Sequence, residues 1–536
     1  MPILSWVNDN QARQEASKVP FHLLEKVGVY GDANSENLLV QGDNLLALKA
    51  LLPFYRGKVK CIYIDPPYNT GSAFEYYDDN LEHSQWLSLL YPRLELLKDF
   101  LSNDGFFCCQ IDDSEGAYLK TILDEIFGRS NYLTTIYVRV RYPDKTLKED
   151  MAFHKEIEQI HIYRKTPLAK PFLQTLEAGF EKFCYRIQTT GVPSKTLNLG
   201  GKKVEVYTKD SYEIFLEEGS EYGLKEVWAS GTILNGNSSG RFFRDYLTGR
   251  SEQDGFGVLY KVYGIGDDRY EYRYFTGPKK TNATKGKYYQ GVPIDKLGTG
   301  NMKRNLPIGG FFDFAANFGN CRHEGGAAFR GGKKPEILLK QLLQYFTRPG
   351  DYVLDSFLGS GTTAAVAHKM NRKFIGIELG EHAQTLCIPR LMKVIEGEQS
   401  GVSKETNWQG GEGFNFYKLG EPVFDEYGSI NPDVDFKTLA AFIWQRETNS
   451  PTDCQYCPLL GEYQGKSIFL LFNGILGDMR PRAGNVLNRS VLKKLLKEYP
   501  SDNVKIVYGD ACFGISDDEL KAHKVIFKQI PYDLGV

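Results

Sequence analysis

A chain of 536 residues, 42% hydrophobic and 25% charged, has the composition of an ordinary globular protein, and its length suits roughly three to four domains. Its 65 Lys+Arg against 67 Asp+Glu leave a formal net charge of -2, which excludes a histone-like polycation but leaves room for a local nucleic-acid-binding face. The longest apolar runs, such as IFLLF at 468–472, fall far short of the roughly 20 residues that a membrane-spanning helix needs. The first residues, MPILSWVNDNQARQEASK, lack the basic start, apolar stretch and small-residue cleavage site of a signal peptide. Nine scattered cysteines, an odd number, read as reduced thiols, so the cytoplasm is the expected compartment.

In chain order, NLLV at 37–40 predicts a short strand, QGDN at 41–44 a turn, and LLALKALLPFY a helix with leucines at helical spacing. KVKCIYID at 58–65 is a second strand that ends on a carboxylate. Residues 85–101 form an amphipathic helix, stopped by a turn at Asn103-Asp104-Gly105. The strand FFCCQI at 106–111 and a helix over 117–127 follow. Strands alternating with helices imply a mostly parallel sheet covered on both faces. The rhythm stops after His161-Ile162-Tyr163-Arg164-Lys165, and from 166 to about 305 aromatics, glycines and basic residues predominate, with β-like runs at 203–207 and 269–275. It resumes with the helix PEILLKQLLQYF at 335–346, the strand DYVLDSF at 351–357, a helix from Gly361 and the strand KFIGIEL at 373–379. The tail from 420 predicts strands at 467–472 and 503–508 around a helix at 490–498, a small α/β domain.

Two constellations carry chemistry. In YVLDSFLGSGTTAAVAHK the strand ends at Asp355, and Gly359 and Gly361 follow, so small residues stand where a backbone must approach a ligand closely. Glu378 ends the next strand, where a Rossmann-type carboxylate takes ribose hydroxyls. The run lacks the third glycine of a nicotinamide fingerprint, and a plain tight βα turn is the alternative. In IYIDPPYNTG at 62–71, two prolines stiffen a loop at the sheet edge where such folds bind ligands. Asp65 and the Pro66 carbonyl can together accept both hydrogens of one amino group, Pro67 completes the rigid turn, and Tyr68 offers a flat face. This arrangement suits a nucleobase amino group; a surface proline turn is the alternative.

Asp65-Pro66-Pro67-Tyr68, followed much later by Asp355-Ser-Phe-Leu-Gly-Ser-Gly-Thr-Thr363, resembles the amino-group DNA methyltransferases that use S-adenosylmethionine. The catalytic motif precedes the cofactor motif, with a variable stretch between, as in the β class, where a target-recognition domain interrupts a circularly permuted catalytic domain. GGKKPEILLKQLL at 331–343, QGDNLLALKAL at 41–51, LSNDGFFCCQIDD at 101–113 and HIYRK at 161–165 extend the likeness. NWQGGEGFNFYKLG at 407–420 and the terminal KQIPYDLGV resemble the modification subunits of type III restriction–modification systems.

The resemblance implies an α/β, Rossmann-like methyltransferase sheet with an inserted target-recognition domain and a small α/β C-terminal domain. The expected boundaries are 1–165 and 311–419 for the catalytic halves, 166–310 for target recognition and 420–536 for assembly or partner docking. It also implies that Phe357, Gly359, Ser360, Gly361 and Thr362 border the methionine part of S-adenosylmethionine, with Asp355 near its amino group, Glu378 on the ribose and Asp43 at the adenine end. An Asp at the first motif position goes in this family with adenine N6, so Asp65 favours adenine. The base must be flipped out of double-stranded DNA, no metal is needed, and a homodimer and a separate restriction subunit are the expected partners.

Between 241 and 304 thirteen Lys/Arg stand against seven Asp/Glu, a local excess suited to phosphate contacts. Arg241, Arg244, Lys279 and Lys280 are the candidates, interleaved with Tyr260, Tyr263, Tyr270, Tyr272, Tyr274, Phe275, Tyr288 and Tyr289; a solvated basic face is the alternative. Gly465-Lys466-Ser467 lacks the first glycine of a phosphate loop, Cys454-x-x-Cys457 has no second pair, and His161 and His323 read as structural. Methylation of RNA adenine or of a protein glutamine, and a non-catalytic DNA-specificity subunit, remain alternatives.

Overall fold

A computed structural model describes residues 3–69, 81–144, 153–229, 238–281, 283–298, 302–326, 329, 332–425, 428–451, 456–473, 475 and 485–532. They form two compact units, Met1–Phe172 with Gly309–Val536, and Leu173–Ile308. The first unit is built on a ten-stranded sheet. In chain order its strands are β1 (His22–Gly31), β2 (Leu38–Gln41), β3 (Val59–Ile64), β4 (Leu101–Ile111), β5 (Tyr132–Arg139), β6 (Ile157–Arg164), β7 (Phe311–Asp313), β8 (Tyr352–Asp355), β9 (Lys373–Glu378) and β10 (Gly413–Pro422). Their order across the sheet is β1-β10-β2-β9-β8-β3-β4-β6-β5-β7. The six strands from β10 to β4 run parallel, and β1 and β6 are antiparallel to their neighbours.

This central parallel run is the doubly wound, Rossmann-like arrangement that the alternating pattern predicts. Helices α1 (Asp9–Lys18), α2 (Asn44–Tyr55), α3 (His83–Phe100), α4 (Gly116–Leu123), α5 (Glu336–Phe346), α6 (Thr362–Lys369) and α7 (Ile388–Ile395) accompany it. Strand β3 is apolar and buried through most of its length, as a strand with helices on both faces must be. Asp43 starts α2 by accepting from the Leu45 and Leu46 amides at 2.8 and 3.3 Å, which satisfies donors that the helix leaves unpaired. The predicted turn at Asn103-Asp104-Gly105 is instead a bulge at the start of β4: Leu101 pairs with Val59 and Phe106 with Cys61, so the residues between loop out.

The second unit holds a six-stranded antiparallel sheet in the order Lys225–Ala229, Gly286–Gln290, Tyr272–Thr276, Leu259–Tyr263, Lys202–Tyr207 and Lys195–Leu199. The run 269–275 is strand only from Tyr272, because Asp268 bends the chain by accepting from the Tyr270 amide at 3.1 Å and pairing with Arg273 at 2.5 Å. Both faces of the sheet carry apolar clusters. Val204, Val206, Phe242, Tyr260 and Phe275 lie on one side, and Ile187, Leu259, Tyr274 and Tyr289 on the other. The interleaved aromatics at 260, 274, 275 and 289 are therefore buried core, and their alternation reports sheet packing rather than a stacking surface.

The tail forms a four-stranded sheet in the order Leu459–Tyr463, Lys466–Leu470, Val504–Gly509 and Val525–Gln529. Phe21 joins its core, with ring centroids 5.2 Å from Phe442. Gly465 makes the hairpin turn before Lys466 at φ +77°, and Cys454 lies outside the described residues. Among the described residues no helix is long and apolar enough to cross a membrane.

Two histidines tie this fold to pH. Burial pushes His161, between Thr135 and the Gly116 carbonyl, and His368, beside Trp408, down to about 4. Below pH ~6.5 the unfolded chain binds protons that the folded chain refuses, so each histidine contributes stability at neutral pH that is lost toward pH 4, about 3 kcal/mol apiece at that limit. Urea midpoints are expected to fall between pH 7 and pH 4.5, and His161→Gln should flatten that fall. An unchanged pH dependence in the variant would contradict this assignment.

Candidate active site

Strands β3 and β8 are parallel neighbours, with Ile62 opposite Leu354, so Asp65 and Asp355 emerge together at the carboxyl ends of the sheet. The chain leaves β8 toward β9 through α6 and leaves β3 toward β4 through α3. That reversal of winding direction opens the crevice in which such sheets bind ligands.

The Asp65 loop is held from several directions. The Pro67 carbonyl accepts from Trp86 Nε1 at 2.8 Å, and Asn69 Nδ2 donates to Glu115 at 2.8 Å. Tyr68 donates its hydroxyl to Glu158 Oε2 at 2.8 Å, and its ring lies 4.9 Å from Lys334 Nζ. Gln110 Nε2 donates to the same Glu158 oxygen at 2.5 Å, and its carbonyl accepts from the Tyr63 hydroxyl at 2.6 Å. Lys334 Nζ lies 2.7 Å from Asp65 Oδ2 and 3.7 Å from Glu158 Oε2. The other oxygen of Asp65, Oδ1, is buried without a hydrogen-bond partner among the described residues. Burial pushes the Asp65 carboxyl above its ordinary range; Lys334 opposes the shift and Glu158 adds to it.

Across the crevice, Asp355 is buried, with Oδ1 accepting from the Phe357 amide at 3.0 Å and Oδ2 from Thr363 Oγ1 at 2.6 Å. Burial pushes its carboxyl up to about 7, against those two hydrogen bonds. Gly359 has φ +56°, and a Cβ there would meet nothing closer than 4.0 Å, so the turn faces open space. Gly361, at φ +79°, caps the start of α6. Phe357 is half-buried against the main core. Glu378 is tied into the turn, accepting from the Gly359 amide at 2.6 Å and the Leu379 amide at 2.8 Å. Asp43 serves the α2 cap and a 2.9 Å ion pair with Arg93.

Beneath the turn lies a buried charge network that sequence reasoning missed. Arg390 donates to the Ser360 carbonyl at 3.0 Å, to Thr362 Oγ1 at 2.8 Å and to Glu336 at 2.7 Å. Lys369 pairs with the other Glu336 oxygen at 2.8 Å. The one available signal was a glutamate at the start of an amphipathic helix. Lys334 and Glu158 were missed as well: the 331–343 stretch that holds the lysine carried the family likeness without marking it, and the glutamate lies on an antiparallel strand whose place in the sheet local sequence does not reveal.

In the second unit Lys279 and Lys280 are exposed. Arg241 and Arg244 pair with Asp245 at 3.4 and 2.7 Å, so these arginines are already engaged within the chain. Among the described residues no cluster of His, Cys, Asp and Glu could hold a metal ion.

Residues 59–388 match the model of the N6/N4 family described as DNA methylase, and the chain belongs to that family. It is 32% identical over 457 residues to the "Probable type III restriction-modification enzyme HindVI Mod subunit" of Haemophilus influenzae, covering 77% of this chain and 58% of that one. It is 27% identical over 435 residues to the type III EcoPI Mod subunit of Escherichia phage P1, covering 70% and 62%. The chain thus spans less than two thirds of the length of either relative. The structure of PvuII DNA methyltransferase (cytosine-N4-specific) matches at 12% identity over 71% of this chain and 93% of that one, with a TM-score of 0.34. That score is too low to bear on the fold, which stands on its strand order.

The network under the glycine turn has a measurable consequence. Arg390→Met strands a buried glutamate oxygen and frees the turn, and should lower unfolding free energy by about 3–5 kcal/mol in urea titrations. A loss below about 1 kcal/mol would show that the pair is dispensable.

Proposed function

We propose that this chain is a site-specific methyltransferase acting on double-stranded DNA. It moves a methyl group from S-adenosylmethionine to N6 of a flipped-out adenine, as the modification subunit of a restriction–modification system. The observation that carries this reading is the buried, unclaimed Asp65 Oδ1 beside the Asp355–Gly361 turn on the adjacent strand. The family match and the type III Mod relatives support the DNA substrate and the restriction–modification setting.

The residues fit the cofactor by charge. Asp355 is a buried carboxylate without a cation, and an α-ammonium group would compensate it. The open face of Gly359 admits a ligand close to the backbone, with Ser360, Thr362 and Phe357 bordering it. Glu378, whose Oε2 accepts from the Gly359 amide and keeps a second lone pair, takes the ribose hydroxyls. Asp43, whose oxygens serve Leu45, Leu46 and Arg93, borders the adenine end by shaping the turn before α2. S-adenosylmethionine supplies a methyl group on a positively charged sulfur.

The exocyclic nitrogen of adenine is a poor nucleophile because its lone pair is delocalised into the ring. Asp65 Oδ1 and the Pro66 carbonyl accept its two N–H groups, localise the lone pair and aim it. With the cofactor bound, its sulfur would keep the electron pair of the broken C–S bond, and the amine held by Asp65 Oδ1 and the Pro66 carbonyl would become cationic and pass one proton to solvent. The negative charge of Asp65 is preorganised for that cation. A base in a duplex cannot reach the crevice, so it must be flipped out; Tyr68, anchored through its hydroxyl, gives it a face to stack on, and Pro67 keeps the loop rigid. Lys279 and Lys280 contact phosphate, Arg241 and Arg244 exchange Asp245 for phosphate, and a second copy and a separate restriction subunit complete the assembly.

Incubation with methyl-labelled cofactor and duplex DNA, tRNA or protein is expected to label DNA alone, at adenine N6. Label in tRNA or protein instead would overturn the reading. Asp65→Asn, which turns a donor toward the target amine, should lower kcat by a hundredfold or more at unchanged cofactor affinity; retention of a tenth of wild-type turnover would remove Asp65 from catalysis. Lys279→Ala with Lys280→Ala should weaken binding to all DNA alike and flatten the slope of log affinity against log salt by about 2 units. An unchanged slope would place both lysines in solvent.

A further inference from the structure

The catalytic carboxylate is flanked by groups whose presence the methyl transfer itself does not demand. Lys334 lies between Lys333 and Pro335, the residue that caps α5. Its side chain is almost wholly buried, at 7% exposure, and its ammonium reaches Asp65 at 2.7 Å and Glu158 at 3.7 Å. A buried lysine is costly unless paired, and here one ammonium serves two carboxylates. We propose that Lys334 is a positioning residue: by occupying Asp65 Oδ2 it leaves Oδ1 as the single aimed acceptor for the target amine and keeps that carboxylate ionised. The inference rests on the methyltransferase reading and deepens it at the same site.

Two physical arguments support it. The first is orientation. A carboxylate held at one oxygen by a fixed cation cannot rotate to exchange its oxygens, so the free oxygen points in one direction without reorganisation as charge develops. The second is charge state. Asp65 faces Glu158 and Tyr68 as well as Lys334, and Tyr63, Cys109 and Asp355 lie within electrostatic reach of it or of one another. All of these except Lys334 are neutral or negative, so loss of the lysine favours protonation of the buried carboxyl, with only the Tyr68 hydroxyl left to oppose it. A protonated Asp65 accepts poorly and cannot stabilise a cationic nitrogen. Burial disfavours the charged form of Lys334, yet Asp65 and Glu158 outweigh it and hold the lysine above its ordinary value, so the cation persists through the neutral range.

Glu158 supplies the internal control. It shares the ammonium and anchors Tyr68, and its negative charge works against ionisation of Asp65. Removing the lysine and removing the glutamate should therefore displace the acid limb of the pH–rate profile in opposite directions.

The test is the pH dependence of single-turnover methyl transfer to duplex DNA by the full chain, with cofactor affinity measured by calorimetry as a check on folding. Lys334→Met is expected to lose about 30-fold or more in rate at pH 7 with cofactor affinity within about threefold. Its acid limb should move up by at least about one pH unit, with partial recovery near pH 9. Lys334→Arg, which keeps the cation, should hold the wild-type limb and lose about tenfold at most. Glu158→Gln should move the limb downward, and it tests the inference alone if Lys334→Met does not fold. An unmoved limb in Lys334→Met, a limb moved equally in Lys334→Arg, or an unmoved or upward-moved limb in Glu158→Gln would overturn the proposal. If the wild type transfers no methyl group to DNA, that failure falls on the functional reading. Lys334 is then judged by the Asp65 titration followed by carboxyl carbon NMR, which should shift upward in Lys334→Met; no shift would overturn the proposal.

Discussion

The parallel pairing of β8 with β3 is the contact on which the site depends. It brings a carboxylate-ending strand from the first half of the chain beside one from the second half, in register at Leu354 and Ile62. Each strand is buried on both faces, so a one-residue slip would drive every side chain into packing shaped for its neighbour. Burial therefore sets the register, and the register places Asp65 and Asp355 at one edge. The glycine turn and the proline loop have no meaning as a pair without that ladder.

Around this edge, charge is distributed unevenly in a way that separates support from chemistry. Glu336 lies under the glycine turn between Arg390 and Lys369, and although burial opposes ionisation, the two cations hold its carboxyl below the ordinary range. Above the turn the balance reverses: Asp355 has hydrogen bonds but no cation, and Asp65 and Glu158 share one lysine. Both Asp65 and Asp355 are consequently raised. A scaffold carboxylate is matched within the chain, whereas these carboxylates are under-matched, a pattern typical of functional groups. The matched network fixes the backbone of the glycine turn.

The second unit shows how the same residue types serve a different end. Its tyrosines alternate along antiparallel strands, and those at 260, 274 and 289 are buried with hydroxyls or rings turned to Asp254, Tyr272 and Glu226. Buried tyrosines need a partner for the hydroxyl, which explains the acidic residues distributed among them. Aromatic and basic residues alternating in sequence are thus compatible with a two-faced sheet whose strands carry Lys261, Arg273 and Lys287, while Lys279 and Lys280 lie between two of them.

Local sequence determined the alternating strands and helices of the first unit, their interruption and resumption, the Asp65-Pro66-Pro67-Tyr68 loop and the glycine turn after Asp355. Each of these is written in short-range terms, through apolar periodicity, proline and glycine geometry, and a carboxylate at a strand end. Only the tertiary structure decided that Lys334 and Glu158 flank Asp65, that Arg390 and Glu336 underpin Ser360 and Thr362, and that Asp43 and Glu378 are already hydrogen-bonded within their turns. It likewise turned the expected break at Asn103-Asp104-Gly105 into a bulge and placed Tyr260, Tyr274, Phe275 and Tyr289 in the core. The reason is physical: a side chain's charge state and partners depend on which distant strand lies beside it, and ion pairs between residues far apart in the chain leave no periodicity for a local pattern to record.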